Sequence, residues 1–345
     1  MPGPISDLID PVRLTPYLEA NVAGFRGPFT CKKTDVGQSN PTFILSAVSG
    51  KYVLRRKPPG ALLKSAHAVE REFRVITALA ETSVPVPRTL HLCEDEMILG
   101  KPFFVMEFID GQTFNDPACP DLSAEARRQL YLNMNKTLAA IHNIDLVKCG
   151  LVDFGRPGNY FERQISRWSR QYRLSQTEDI CALDTLIDWL TAHVPADDDV
   201  CTLVHGDYRL DNLLVHPKTG AVLGVLDWEL STLGHPLADL GAQLMQWSLP
   251  NTAEGRGLAG VKRRDLGIPE DQEYIELYAK NAGLTDVPDM TFSIAFNFFR
   301  MAAILQGVKK RAMDGNASSP EKALQLGRYI PQMADNAWRL INGES

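Results

Sequence analysis

Residues Leu203 to Val215 read LVHGDYRLDNLLV, and residues Val222 to Glu229 read VLGVLDWE. Two β-prone runs, Leu203–Val204 and Leu213–Val215, flank a cluster of His205, Asp207, Arg209, Asp211 and Asn212, and a third run, Val222–Leu226, ends on Asp227. Strands this short are unstable as isolated hairpins, so the rest of the chain must build a core around them. Asp207 and Asn212 stand five residues apart, and Asp227 follows the next strand. Two carboxylates and a carboxamide converging from adjacent loops form a hard oxygen set. Magnesium prefers such ligands while keeping water and phosphate oxygens around itself. Phosphoryl transfer uses the same set: one carboxylate takes the proton of an acceptor hydroxyl, a second holds the metal, and an amide oxygen completes the metal shell.

The surrounding sequence divides in character. Before Gly111 it is β-rich with one expected helix. FTCKKTDV, TFILSAV, KYVLRRK, RTLHLCE and PFFVMEFI read as strands, and Ser65–Glu81 as a helix with Ala66, Val69, Phe73, Ile76 and Leu79 on one face. After Gly111, helical periodicity dominates: Ser123–His142, Tyr160–Tyr172, Cys181–His193, Pro236–Trp247, Asp271–Asn281, Phe292–Met313 and Pro320–Ile341. The Pro/Gly-rich segment 250–269 reads as a mobile loop. The expected plan is α+β and two-lobed. Residues 1–109 would form a small β-rich lobe, and 110–345 a larger helical lobe, joined near Glu107–Gly111 with a cleft between.

Bulk properties narrow the function classes. The 345 residues carry a net charge of -6, against a general nucleic-acid binder. Six scattered cysteines without a C-x-x-C pair point to neither a zinc site nor a disulfide framework, and to a reducing compartment. The N-terminus has no basic region followed by an apolar one, and no apolar run approaches a bilayer's span. The expectation is a cytoplasmic chain with no membrane partner. GRGLAG at Gly255–Gly260 fits G-x-G-x-x-G, but no strand precedes it and no helix pattern opens on it, so it is set aside.

HGDYRLDN followed by LDWE resembles the catalytic loop and metal-binding segment of the aminoglycoside phosphotransferase/choline kinase family, relatives of the protein kinases. MEFIDG (Met106–Gly111), VEREF (Val69–Phe73) and VGQSNPTFIL (Val36–Leu45) fall in the expected order, and the match covers roughly residues 30–245. YVLRRKPPG, VPVPRTL and LDWELSTLGHPLADLG are closest to the phosphotransferase domain that some animal proteins carry fused to acyl-CoA dehydrogenase domains. The resemblance implies a protein-kinase-like fold that binds ATP and Mg2+ and phosphorylates a small-molecule hydroxyl acceptor. It implies Asp207 as catalytic base, with Asn212 and Asp227 as metal ligands. Arg55 would grip phosphate and Glu72 would pair with it. Met106, Glu107 and Ile109 would line the adenine hinge, and Ser39 and Asn40 fall at the phosphate-covering turn. His205 and Asp239 are implied as structural supports of the loop.

The chain departs from the family pattern in three places. Arg55 stands where Lys is usual, with Arg56 beside it as a competing candidate, and a guanidinium fork binds differently from a point charge. The phosphate-covering turn has only Gly37, and Asp-Trp-Glu replaces Asp-Phe-Gly. The Arg55 departure motivates an alternative, a nucleotide-binding pseudokinase; the intact Asp207, Asn212 and Asp227 argue against it. An aminoglycoside-modifying kinase is a second alternative, but a polycationic acceptor needs an acidic cleft. Arg163, Arg167 and Arg170 instead share one helix face, and Lys262, Arg263 and Arg264 cluster in the loop. Either group would suit an anionic acceptor such as a hydroxyacyl-CoA.

Overall fold

The β-prone runs of the first hundred residues pair into one sheet because each has an apolar face to cover. The computed structural model describes residues 9–34, 40–58, 68–253, 255–316 and 319–344. They fall into two units. The first comprises residues 1–113, 144–152 and 210–231; the second holds 114–143, 153–209 and 232–345.

In the first unit, α1 (Pro11–Asn21) begins where the Asp10 Oδ1 accepts the Val12 N–H at 3.0 Å and Pro11 takes the first helical position. There follow β1 (Phe29–Lys33), β2 (Thr42–Ala47), β3 (Gly50–Arg56), α2 (Val69–Leu79), β4 (Thr89–Cys93), α3 (Glu96–Leu99) and β5 (Phe103–Glu107). The sheet runs β1-β2-β3-β5-β4, antiparallel throughout. Phe103 to Met106 are all buried because both faces of β5 are covered. On one side Phe103 and Val105 join a core with Leu14 and Leu18 of α1 and with Phe43, Leu45 and Leu54. On the other, Phe104 meets Phe73 of α2 at 5.9 Å between centroids. A hairpin, Leu213–Val215 with Val222–Val225, also belongs to this unit.

The single expected helix is thus accompanied by two more, α1 and α3. Pro16 inside α1 disguises it, although Leu14 and Leu18 keep the helical spacing. The expected helix 65–81 is α2, and its first expected residues, 65–67, lie outside the described residues.

The second unit is helical, with α4 (Ala124–His142), α5 (Tyr160–Ser175), α6 (Cys181–Ala192), α7 (Leu237–Trp247), α8 (Asp271–Ala282) and α9 (Thr291–Met313) close to their expected bounds. The last expected helix is two, α10 (Pro320–Gly327) and α11 (Ile330–Ile341). Pro331 in the first turn of α11 cannot donate to a preceding turn, so one helix ends and another starts. A strand absent from the sequence reading, Thr232–Gly234, pairs with Thr202–Val204.

Two further expectations need correction. Helix α9 is long and apolar enough to cross a bilayer by length and composition. Asn297, Arg300 and Gln306 interrupt its apolar run, which is why no span stood out. Inside the fold, Asn297 Nδ2 donates to the Ala238 carbonyl and Gln306 Nε2 to the Ser175 carbonyl. Phe296, Phe299 and Ala303 sit in the core with Tyr172 and Met333. The Pro/Gly-rich segment 250–269 is anchored rather than free: Leu258 and Ile268 are buried, and Arg263 pairs with Asp271 at 2.6 Å.

Candidate active site

Arg55 sits in the middle strand of the sheet, opposite Thr42 on one side and Phe104 on the other. Its Nε donates to Glu72 Oε2 of α2 at 2.7 Å, one terminal nitrogen donates to Thr42 Oγ1 at 3.2 Å, and the other donates to Asp227 Oδ1. The planar fork thus satisfies two carboxylates at once, which an ammonium could not do with fixed geometry. Arg55 and Glu72 are both buried, at 5% and 1% exposure, so their charges survive only as a pair. Burial pulls the Arg55 guanidinium down, but Glu72, Asp227 and Glu229 together outweigh it and hold it above its ordinary value. Burial pushes the Glu72 carboxyl up to about 7, with the Arg55 charge opposing. Arg56, the competing candidate, is also buried but does not line the cavity described next.

That cavity encloses about 320 Å³. Ile44, Val53, Ile76, Met106, Leu214 and Leu226 give it apolar walls, and Arg55, Glu72, Asn212 and Asp227 form its polar end. A flat heterocycle suits the apolar part, and a charged tail the polar part. Glu107 and Ile109 line it as well, while the Glu107 carboxylate accepts the Arg88 N–H at 2.9 Å. Asp227 adopts a left-handed backbone (φ 63°, ψ 57°), a strained conformation for a residue with a side chain. Asn212 closes a short 3₁₀ turn, and its carbonyl accepts the Leu226 N–H at 2.8 Å, tying the two segments together. Asn40 is fully buried, donates to Glu229 Oε2 at 3.2 Å and does not line the cavity. Ser39 lies outside the described residues.

Asp207 belongs to the second unit, and the chain passes into the first between Arg209 and Leu210. Buried Asp239 on α7 fixes the loop carrying Asp207. Its two carboxylate oxygens accept the His205 N–H at 2.6 Å and the Gly206 N–H at 2.9 Å, and His142 Nε2 stands 3.4 Å away. Burial raises the Asp239 carboxyl, but these donors outweigh it and hold it below the usual range. Gly206 has φ 82°, which a side chain would oppose, and its carbonyl accepts from Arg300 at 2.8 Å. Tyr208 donates to the Met134 carbonyl at 2.8 Å. The Asp207 N–H donates to His205 Nδ1, and Arg209 Nε lies 3.3 Å from Asp207 Oδ1. Asp207 keeps about a third of its side-chain surface exposed (34%), so its carboxylate can be reached.

Sequence reasoning did not single out Thr42, Arg300 or His142. The Thr42–Arg55 register is a local signal that could have been read from the hairpin. Arg300 and His142 reach the loop from α9 and α4, far away in sequence, and nothing local marks them.

The chain is similar to known proteins along most of its length. The profile of the Phosphotransferase enzyme family matches residues 30–277. Mouse acyl-CoA dehydrogenase family member 10 is 46% identical over 319 residues, covering 92% of this chain and 30% of that protein. The Arabidopsis thaliana probable acyl-CoA dehydrogenase IBR3 is 39% identical over 347 residues, covering 94% and 42%. The chain thus spans less than half the length of these curated relatives. A Ralstonia eutropha structure assigned to the aminoglycoside phosphotransferases superposes with a TM-score of 0.88 at 45% identity, covering 97% of this chain and 98% of that one. Spectinomycin phosphotransferase, solved with ADP and spectinomycin, shares the protein-kinase-like fold at a TM-score of 0.64 and 12% identity, over 96% and 98%. With the family profile spanning most of its length, the chain belongs to the Phosphotransferase enzyme family.

Proposed function

We propose that the chain is an ATP- and magnesium-dependent small-molecule kinase that moves the γ-phosphoryl group to a hydroxyl acceptor. The observation that carries this reading is the buried Arg55, held by Glu72 and Asp227 at the polar end of an apolar cavity. In this reading the adenine lies between Ile44, Val53, Met106 and Leu214, against the backbone of Glu107 and Ile109, and Arg55 meets the phosphates. Ser39 keeps its proposed place at the phosphate-covering turn, whereas Asn40, buried against Glu229 and outside the cavity lining, would act only as a support of that turn. Residues 1–109 would supply most of the nucleotide site, with Asn212, Leu214 and Asp227 completing it, and acceptor recognition would fall to the rest of 110–345.

Asn212 and Asp227 fit magnesium. They offer one amide and one carboxylate oxygen on one cavity wall, and magnesium takes one or two carboxylates and fills its shell with water and phosphate. A third acidic ligand is not required, and among the described residues no group of three His, Cys, Asp or Glu is placed to hold a metal. When bound, magnesium would neutralise charge on the transferred phosphates. Asp207 would orient the acceptor hydroxyl and take its proton, on a loop whose backbone Asp239 and Arg300 hold still.

The relatives named for acyl-CoA dehydrogenases support a hydroxylated acyl-CoA as acceptor, and the Ralstonia structure supports an aminoglycoside as the second reading. Arg55 makes the expected pair with Glu72 and adds one with Asp227, and this ordered cation speaks for a working kinase over a pseudokinase. Incubation with γ-labelled ATP and a panel of hydroxyacyl-CoAs, choline-like alcohols, sugars and aminoglycosides tests the proposal. Label should appear in a phosphate ester of one class, and ATP binding without transfer to any would favour the pseudokinase.

A further inference from the structure

Helix α5 carries a cluster of cations that the chemistry above does not use. A cleft of about 400 Å³ in the second unit is lined by Arg156, Asn159, Glu162, Arg163, Arg167 and Arg170, among others. Arg163, Arg167 and Arg170 fall at i, i+4 and i+7, so their side chains leave one face along about 10 Å of helix. Other arginines of the second unit are neutralised by nearby acids. Arg173, one turn further on, pairs with Asp184 at 2.5 Å, Arg128 pairs with Glu273, and Arg263 pairs with Asp271. Among the described residues, none of the four cleft arginines forms an ion pair with a carboxylate. Arg163 instead donates to the Pro157 and Arg156 carbonyls, which aims its guanidinium at the cleft rim, and Arg167 stands 5.3 Å from the Trp168 ring. Two acids stand near: Glu162 lines the cleft, and Asp197 accepts the Asn159 N–H at 2.9 Å. Four cations against two anions leave a local excess of positive charge in a chain of net charge -6.

The cleft also adjoins the strand that leads to Asp207. Tyr160, at the start of α5, lies against Gly234 and shares a core cluster with Val204, and Val204 directly precedes His205. Arg300, which binds the Gly206 carbonyl, lies over the same Trp168 ring as Arg167. From this we infer that the Arg156/Arg163/Arg167/Arg170 cleft is a binding site for the phosphate groups of an organic phosphate. The guanidinium forks match phosphate oxygens in pairs, and a row of them suits two or more phosphates. Burial and the neighbouring Arg156 both hold the Arg163 guanidinium below its ordinary value, a repulsion that a bound anion would relieve. The site rests on the kinase reading only where it concerns whose phosphate is bound.

Inorganic pyrophosphate, titrated calorimetrically into the whole chain without magnesium, tests the site directly. It should bind with an affinity that weakens as salt screens the charges beyond about 10 Å at 0.1 M. Arg163→Gln/Arg167→Gln/Arg170→Gln should weaken it by at least about 10-fold, since each exposed charge pair contributes modestly. Arg167 and Arg170 are exposed, so the single variant Arg170→Gln serves if the triple one unfolds, with a smaller loss. Lys148→Gln/Arg339→Gln, which removes exposed charge elsewhere, should leave binding unchanged. Unaltered pyrophosphate affinity in the arginine variants overturns the assignment. Coenzyme A against pantetheine identifies the source. Displacement of pyrophosphate by coenzyme A but not by pantetheine supports an organic phosphate read through its phosphates, and displacement by neither coenzyme A nor ATP overturns that in favour of a free anion. Because binding is read without turnover, the site can fail while the kinase stands, and the reverse.

Discussion

Replacing Arg55 by alanine should cost more stability in alkali than in acid. Arg55 is the cation between a carboxylate that is almost wholly buried, Glu72 at 2.7 Å, and Asp227. Alanine would leave Glu72 facing no cation, and breaking a buried pair by removing one partner costs about 3–5 kcal/mol. The cost depends on whether Glu72 is charged. Burial already raises it to about 7 with Arg55 present, and loss of the Arg55 charge would raise it further. A carboxyl raised above its unfolded value of about 4.3 adds stability fully below that value. That contribution is lost as pH rises through the folded value. The alanine variant should therefore lose least near pH 5, where Glu72 is protonated, and most above pH 8. Urea denaturation of nucleotide-free protein in EDTA, at about pH 5.5 and about pH 8.5, reads the difference. Adding Glu72→Gln to Arg55→Ala should restore most of the alkaline loss, because a neutral amide strands no charge. Arg55→Lys should fall between, reaching one carboxylate but not both. A loss under about 1 kcal/mol at the higher pH, or a larger loss at the lower one, would refute the reasoning.

Other substitutions probe the remaining supports. Asp227→Ala should make nucleotide affinity insensitive to added magnesium, and an unchanged magnesium dependence in a titration would contradict its role as ligand. Asp239→Ala strands the buried His205 and Gly206 N–H groups, at about 1–3 kcal/mol each, measurable by urea denaturation. Because the Asp239 carboxyl is depressed, its contribution is present above the ordinary aspartate value of about 4 and fades as pH falls through the depressed one. The gap between wild type and Asp239→Asn should therefore close in acid. Gly234→Ala would place a Cβ 2.5 Å from the Tyr160 ring, and overpacking of this kind costs about 1–3 kcal/mol. A thermal midpoint equal to wild type would show that Tyr160 yields freely.

The sheet strands and most helices were legible because their apolar periodicity is local. The two misses in the first unit have a physical cause: α1 carries a proline inside it, and α3 is one turn long. The break between α10 and α11 was hidden because the apolar pattern continues across it, although Gly327 and Pro331 were there to be read. In the candidate site, Asp207, Asn212, Asp227 and Glu72 stood out through motif and spacing. What spacing could not supply was the partner geometry. That Arg55 spans Glu72 and Asp227, and that Asn40 turns to Glu229, depends on strand register and burial. The two cationic clusters differ: Arg263 and Arg264 are engaged by Glu270 and Asp271, whereas Arg163, Arg167 and Arg170 of α5 form no ion pair with an acid among the described residues.

The central claim is that Asp207 takes the proton of an acceptor hydroxyl during phosphoryl transfer from ATP. Single-turnover transfer from γ-labelled ATP, compared between wild type and Asp207→Asn with the best acceptor of the panel, tests it most directly. The amide keeps the shape of the side chain and removes its basicity. Transfer should fall by about 10²–10⁴-fold, the range for a positioned general base, while magnesium-ATP affinity stays within about twofold. An Asp207→Asn variant that transfers phosphate at close to the wild-type rate would contradict the account.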